Sequence, residues 1–462
     1  MSDLSDATPS GAPRRRFADV RTPIPGPRSQ ALVAEERPFL APGTQALSQM
    51  AGIAVDHGKG ALLADVDGNT FVDFVAGICV ASLGHGHPAL ATALGEQAAR
   101  ISAGSFASEP RKELLKRIAS ITPYPALKRT QLYSGGSEAV ESALRLARAY
   151  TKKYEVVAFW GGFHGKTGGV LGLMGSEFKH HLGPLTPGNH LAPYADCYRC
   201  PLKTTYPGCG LACVDFLRQI IKLNTTGSLA AIIVEPIQGT GGNVIPPDDW
   251  LPAVKSVARE FDALLVLDEM ITGFGRTGKM FGAEHFGVEA DIMTFGKGVA
   301  NGFPLTGLIS TDEIVRPDKA DPWARPSFSS SSYGGAPLGA AAGNAVTRVI
   351  VEEKIPEHVA VVGDALLGAL RPLVDKYRFV GEVRGKGLMI AIELVKDKHT
   401  REPLDKKTCE WIYMRCLEKG LLTMTYAPRV RVNPPLVITR DQALEGASIL
   451  DEVFGELERR TL

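Results

Sequence analysis

Four short apolar runs along the chain end abruptly in polar or glycine-rich residues. Glu155 to Phe159 leads into Trp160-Gly161-Gly162-Phe163-His164, Leu229 to Val234 into Glu235, Ala263 to Leu267 into Asp268, and Asp291 to Phe295 into Gly296-Lys297. Runs this short, without polar alternation, predict strands buried on both faces, as in a parallel sheet covered by helices. Helical spacing lies between and after them, for example over Trp250 to Phe261. Strands alternating with helices predict an open α/β sheet, in which ligands sit beyond the carboxyl ends of the strands. The polar residues that close the runs are therefore candidates for one common site. From about Tyr333 the pattern changes: Pro337 to Glu353 reads as a long alanine-rich helix and Gly387 to Leu394 as a strand. The expectation is a large domain over residues 81–334 and a smaller α+β domain made from residues 28–80 and 335–462.

Residues 1–27 are rich in Pro, Ser, Ala and Arg with little apolar periodicity, so on their own they should be extended or disordered. Their basic run, Arg14-Arg15-Arg16, reads as a solvated arm lying on a partner subunit, or else as an address signal or anion site. A chain of 462 residues with 44% hydrophobic content can bury a large core. Its 51 Lys and Arg nearly balance its 50 Asp and Glu, which argues against nucleic acid or an anionic membrane as the main partner and for small molecules. No run approaches the roughly 18 apolar residues that span a bilayer, and the N-terminus lacks a basic-then-apolar leader, so a cytoplasmic location is expected.

The seven cysteines include one local group, Cys197, Cys200, Cys209 and Cys213, spaced C-x2-C-x8-C-x3-C. Paired cysteines of this kind suit a thiolate-bound metal, although the second pair is CxxxC. Reduced packing cysteines or an occasional disulfide are the other readings, and no metal is assigned. Cys79, Cys409 and Cys416 read as ordinary buried positions.

Tyr133-Ser134-Gly135-Gly136-Ser137-Glu138 places a glycine-rich turn before apolar residues at Val140, Ala143, Leu144 and Ala147. A helix should begin near Ser137. Its first-turn amides and dipole suit a phosphate; Ser137 acting as a simple N-cap, with Glu141 near the first turn, explains the same residues. Asp268 follows an apolar run, and a carboxylate there calls for a cationic partner such as a protonated pyridine nitrogen. Lys297 sits between Gly296 and Gly298, expected to leave its amine unobstructed to condense with an aldehyde and then carry a proton. Singly, an Asp after a strand is a cap and a Lys is solvated. The phosphate cradle, acid and lysine at successive strand ends make a constellation.

Ser134-Gly-Gly-Ser-Glu-Ala139, Gly162-Phe-His-Gly-Lys-Thr167, Glu235-Pro-Ile-Gln-Gly239, Leu267-Asp-Glu-Met-Ile-Thr-Gly-Phe-Gly-Arg-Thr-Gly278, Thr294-Phe-Gly-Lys-Gly298 and Tyr333-Gly-Gly-Ala-Pro337 resemble the class III aminotransferases, pyridoxal-phosphate enzymes of fold type I. The resemblance runs from about Pro25 to near the C-terminus. It implies a large domain with a mainly parallel seven-stranded sheet flanked by helices, a small α+β domain, and a homodimer, with pairing into tetramers left open, whose active sites lie at the interface. By the same resemblance Lys297 carries the cofactor and Asp268 meets its ring nitrogen. Gly136 and Ser137 hold its phosphate, and Phe163 stacks on its ring. His164, Glu235 and Met270 lie around it, and Ser332 reaches the neighbouring subunit's phosphate. Arg431 grips the substrate's α-carboxylate, with Arg429 as rival, and Ile78, Val80, Lys166 and Glu235 complete the substrate pocket. Lys166, Ile271 and Thr240 depart from the residues frequent in 4-aminobutyrate enzymes, which weakens that substrate. The expected activity is transfer of an amino group from an amine, ω-amino acid or amino acid to pyruvate or 2-oxoglutarate by a ping-pong route. Racemisation or 2-epimerisation, aminomutase chemistry and decarboxylation use the same apparatus, and a non-catalytic cofactor-binding protein is the reading from another class.

Overall fold

The computed structural model describes residues 16–104, 106–315, 323, 325 and 327–460. After two helices, Pro27–Glu36 and Ala46–Ala51, the described chain forms three antiparallel strands, β1 (Val55–Lys59), β2 (Leu62–Asp65) and β3 (Thr70–Asp73). A central sheet follows, built from β4 (Arg129–Tyr133), β5 (Glu155–Phe159), β6 (Asn189–Ala192), β7 (Leu229–Val234), β8 (Leu264–Asp268), β9 (Ile292–Phe295) and β10 (Thr306–Ser310). Its order is β4-β10-β9-β8-β7-β5-β6, seven strands in all. β10 runs antiparallel to both its neighbours, and the other strands share one direction. Every residue of β5, β7 and β9 is buried, as expected of strands covered on both faces.

The apolar runs are strands with small shifts at their ends. Asp268 closes β8 itself, paired in register with Thr294. Asp291 stands before β9, where its carboxylate accepts from Lys255 Nζ at 2.6 Å and the Leu265 amide at 2.7 Å. The helix Trp250–Glu260 buries Trp250, Leu251, Val254, Val257 and Ala258, and Phe261 is its C-cap. Each large apolar side chain so buried contributes roughly 1.5–3 kcal/mol.

The remaining strands are β11 (Val380–Lys386), β12 (Met389–Leu394), β13 (Leu421–Leu422), β14 (Met424–Tyr426) and β15 (Arg429–Val432). The order β11-β12-β15-β14 makes an antiparallel sheet, and β13 joins β3 in parallel. The alanine-rich segment forms the helix Pro337–Glu352. Arg14 and Arg15 lie outside the described residues; beyond them the Phe17 and Ala18 amides donate to Glu445 at 2.9 and 2.8 Å, and the Asp19 amide donates to Thr70 at 2.9 Å. Among the described residues no helix is long and apolar enough to cross a membrane.

Gly446, in the C-terminal helix Arg440–Arg460, leaves room for the Phe74 ring: a Cβ there would lie 2.2 Å from ring carbon Cζ. Phe74 is wholly buried, so it cannot swing away into solvent. Gly446→Ala should therefore lower stability by roughly 1–3 kcal/mol, the usual cost of overpacking. Equilibrium denaturation of the two proteins measures this.

Candidate active site

Because the strands of the central sheet other than β10 share a direction, their carboxyl ends meet at one edge. Ser134 to Ser137 follow β4, Trp160 to His164 follow β5, Glu235 follows β7, Met270 lies just beyond β8, and Lys297 lies just beyond β9. The helix after β4 is Gly136–Thr151, and its N-cap is Gly135. Ser137 is therefore not the cap. The Glu138 carboxylate reaches back to the amides of Ser134 at 3.2 Å and Gly135 at 3.3 Å, which fixes the start of the helix ahead of Ser137. The Ser137 hydroxyl instead accepts the Lys166 amide at 3.2 Å. Glu141 braces the same loop, taking the Gly169 amide at 3.0 Å.

Asp268 is almost fully buried and is met by three donors. His164 Nδ1 lies 2.8 Å from Oδ2, while Oδ1 accepts the Thr294 hydroxyl at 3.1 Å and the Met270 amide at 3.2 Å. Burial favours a neutral His164 ring, but the hydrogen bond and charge of Asp268 outweigh it and hold the imidazole pKa above its ordinary value. Glu235 is also buried and does not line the cleft. Its carboxylate accepts the Phe163 amide at 3.0 Å and the Gly239 amide at 2.9 Å, so it shapes the β5 and β7 loops from beneath. Burial raises the Glu235 pKa.

Lys297 is half-buried with φ 45°. Among the described residues no carboxylate forms an ion pair with its amine. The flanking glycines serve close packing rather than access to that amine. A Cβ on Gly296 would lie 2.7 Å from Met270 Sδ, and one on Gly298 would lie 2.5 Å from Ser82 Oγ.

Lys297 opens onto a cleft of about 700 Å³, where Ile78, Val80, Phe163, Lys166 and Arg431 also lie. Ile78 and Val80 are carried there by a left-handed turn: Ala76, Gly77, Ile78 and Cys79 have φ of 50°, 60°, 68° and 64°. Such a turn costs about 1–2 kcal/mol for each non-glycine residue. Asp73 Oδ1 helps to hold it, accepting the Val75 and Ala76 amides at 2.7 and 2.9 Å.

Arg429 and Arg431 lie on the same face of β15 and both line the cleft, but their surroundings differ. Arg429 Nε is 2.9 Å from the buried Glu393 carboxylate, and its NH2 group is 3.5 Å from Asp196. Among the described residues, Arg431 has only the Asn243 side-chain oxygen, at 3.3 Å from Nε, and its buried NH2 nitrogen has no hydrogen-bond partner. Lys166 is exposed, with its amine 4.8 Å from the Phe178 ring centroid. Ser332 is exposed outside the cleft.

Sequence reasoning missed Trp160, Gln238, Tyr426, Asp196 and Arg199, which also line the cleft. Gln238 and Trp160 stood inside motifs already singled out, next to candidates, and could have been taken with them. Tyr426 comes from β14, and nothing in its local sequence marks it. Asp196 and Arg199 belong to the cysteine-rich segment, whose four cysteines line a separate small cavity that shares Tyr194 and Asp196 with the cleft. Among the described residues no three His, Cys, Asp or Glu side chains are drawn together closely enough to hold a metal ion as they stand.

The family profile described as aminotransferase class-III matches residues 44–454. The chain belongs to the class III aminotransferases. As a class III aminotransferase it is a pyridoxal-phosphate enzyme. It is 34% identical to an acetylornithine aminotransferase of Methanothermobacter thermautotrophicus over 88% of this chain and 94% of that one. It is also 32% identical to an alanine/serine racemase of Pyrococcus horikoshii over 95% of this chain and 94% of that one. Among solved structures it is similar to an amine transaminase from an uncultivated Pseudomonas species with pyridoxal phosphate bound, with a TM-score of 0.85 at 32% identity over 90% of this chain and 98% of that one. These likenesses establish fold type I. The residues present fit the cofactor: a buried acid for a cationic ring nitrogen, a helix start for a phosphate, and a lysine amine with no counter-ion opening on the cleft.

Proposed function

We propose that this aminotransferase takes an amino group from an amine, ω-amino acid or amino acid and passes it to pyruvate or 2-oxoglutarate in two half-reactions, with Arg431 gripping the carboxylate. The observation that carries this reading is the buried guanidinium of cleft-lining Arg431, whose NH2 group has no hydrogen-bond partner among the described residues while Arg429 is held by Glu393 and Asp196. A buried arginine donor without an acceptor is costly, and a carboxylate satisfies it with a bidentate fork. Lys166 adds a second positive charge at the cleft for a distal acid.

When bound, pyridoxal phosphate supplies an aldehyde for the amine and a ring that draws off the electrons of the broken bond. In this reading Asp268 keeps the ring nitrogen charged, and His164 in turn holds Asp268 in place. Gly136 and Ser137 hold the phosphate, with Phe163 against the ring. The Lys297 amine takes the proton from the donor carbon and returns it on the other side of the transfer.

The active unit in this reading is a homodimer with Ser332 reaching into the partner's site. Exposed Ser332, together with Phe39, Phe106 and Tyr333 at 91%, 88% and 71% exposure, supports it. All seven cysteines are free, which suits the reducing cytoplasm.

The test follows the visible absorbance of the purified protein with its cofactor. An amine alone should discharge it, and an oxo acid should restore it. Exchange of the α-hydrogen with inversion and no discharge would make the enzyme a racemase, the activity named for the Pyrococcus relative. Arg431→Ala should lower kcat/KM for oxo acids about ten- to a hundredfold, the worth of a charge-assisted hydrogen bond of roughly 1.5–3 kcal/mol, and should spare plain amines. A comparable loss confined to Arg429→Ala would move the carboxylate site there.

A further inference from the structure

Cys197, Cys200, Cys209 and Cys213 come from one segment of 17 residues, yet the fold sets them in three different local structures. Cys197 and Cys200 lie on the loop after β6, Cys209 lies in the turn that follows, and Cys213 is in the first turn of the helix Ala212–Asn224. All four line one cavity of about 20 Å³, the room that a single water-sized species needs. None is in a disulfide.

We propose that these four thiolates hold one structural zinc ion. Zinc takes four sulfur ligands in a tetrahedron, needs no open position for such a role, and is served by cysteine pairs with short spacers. The sulfurs are not drawn in as they stand. All four cysteines line the cavity, and in this proposal a change of side-chain rotamer brings their sulfurs to its centre. Binding releases the four thiol protons to solvent and leaves a site of charge −2.

Two features would favour the thiolate form once the ion is bound. The Thr204 hydroxyl lies 3.4 Å from Cys200 Sγ, and Cys213 sits at a helix N-terminus, where the dipole favours negative charge. Four unneutralised thiolates this close would repel one another, and a divalent cation at their centre removes that repulsion. The site also has something to hold. Asp196, Arg199 and Pro201, interleaved with Cys197 and Cys200, line the substrate cleft, and Asp196 is a partner of Arg429. A zinc ion here would staple the cleft wall that keeps Arg429 occupied.

The test reads metal and not turnover, so it stands apart from the proposed reaction. Cofactor-loaded protein, purified without a metal-affinity column, should contain about one zinc per chain by plasma mass spectrometry, the stoichiometry of a four-cysteine site. Titration with a mercurial should release that zinc in step with modification of the thiols. Reconstitution with cobalt(II) after chelation should produce the intense visible bands of a tetrahedral site and a sulfur-to-metal band in the near ultraviolet. Cys200→Ser and Cys213→Ser should each lose at least about tenfold of the bound zinc. If those variants do not fold, the wild-type zinc count and release decide the matter. Metal-free native protein with all four thiols open to titration, a disulfide among them, or iron with sulfide in place of zinc would each overturn the assignment.

Discussion

Lys297→Ala is expected to abolish turnover and the visible absorbance that marks a cofactor joined to a lysine. Among the described residues the cleft has one other lysine, Lys166, which is exposed on the loop after β5 with its amine over Phe178. Proton movement by a positioned amine contributes typically 10²–10⁴-fold, and the lost covalent attachment adds to that. Borohydride reduction of the wild type followed by peptide mapping should place the pyridoxyl label on Lys297. A label on another lysine sinks the assignment, whatever the mutant does.

Asp268→Asn should leave the protein folded and able to bind cofactor but should slow proton removal by about two to almost four orders of magnitude. Removing one partner of a buried ion pair costs about 3–5 kcal/mol, and each 1.36 kcal/mol is tenfold in rate. A second readout follows from the His164 contact at 2.8 Å. Burial opposes protonation of that ring, and Asp268, with a smaller contribution from Glu235, raises its pKa, so the substitution should move the His164 titration downward. Following the imidazole proton by NMR in both proteins checks this without any substrate. Half-reaction rates like the wild type's would remove Asp268 from the chemistry.

The apolar runs that became β5, β7, β8 and β9 were legible because a strand buried on both faces has no polar position to disguise it. β10 was not: Thr306-Gly-Leu-Ile-Ser310 reads the same in either direction, and its reversed sense arises from pairing with β4 and β9. The helix begins at Gly136, one residue ahead of the expected start near Ser137, and its cap is Gly135 and not Ser137, because the deciding contact is a side chain folding back, Glu138 to the Ser134 and Gly135 amides. The constellation of Lys297, Asp268 and Ser137 could be read because one sheet edge gathers the strand ends. The choice between Arg429 and Arg431 could not. Both carry the same charge on the same face, and what separates them is Glu393, which cross-strand register places opposite Arg429 and not Arg431.

The parallel pairing of β13 with β3 sets a schedule for synthesis. Leu421 bonds beside Val72, so β3 acquires this neighbour only after roughly 350 further residues have been made. At about 5–20 residues per second that interval is on the order of 20–70 s, during which β3 is an open edge on a nascent chain. Phe71, Val72 and Phe74, all fully buried in the finished protein, lie along that edge. The N-terminal sheet is thus begun first and completed nearly last, and its waiting period is when a chaperone, or a second nascent copy offering the wrong strand, has its opportunity.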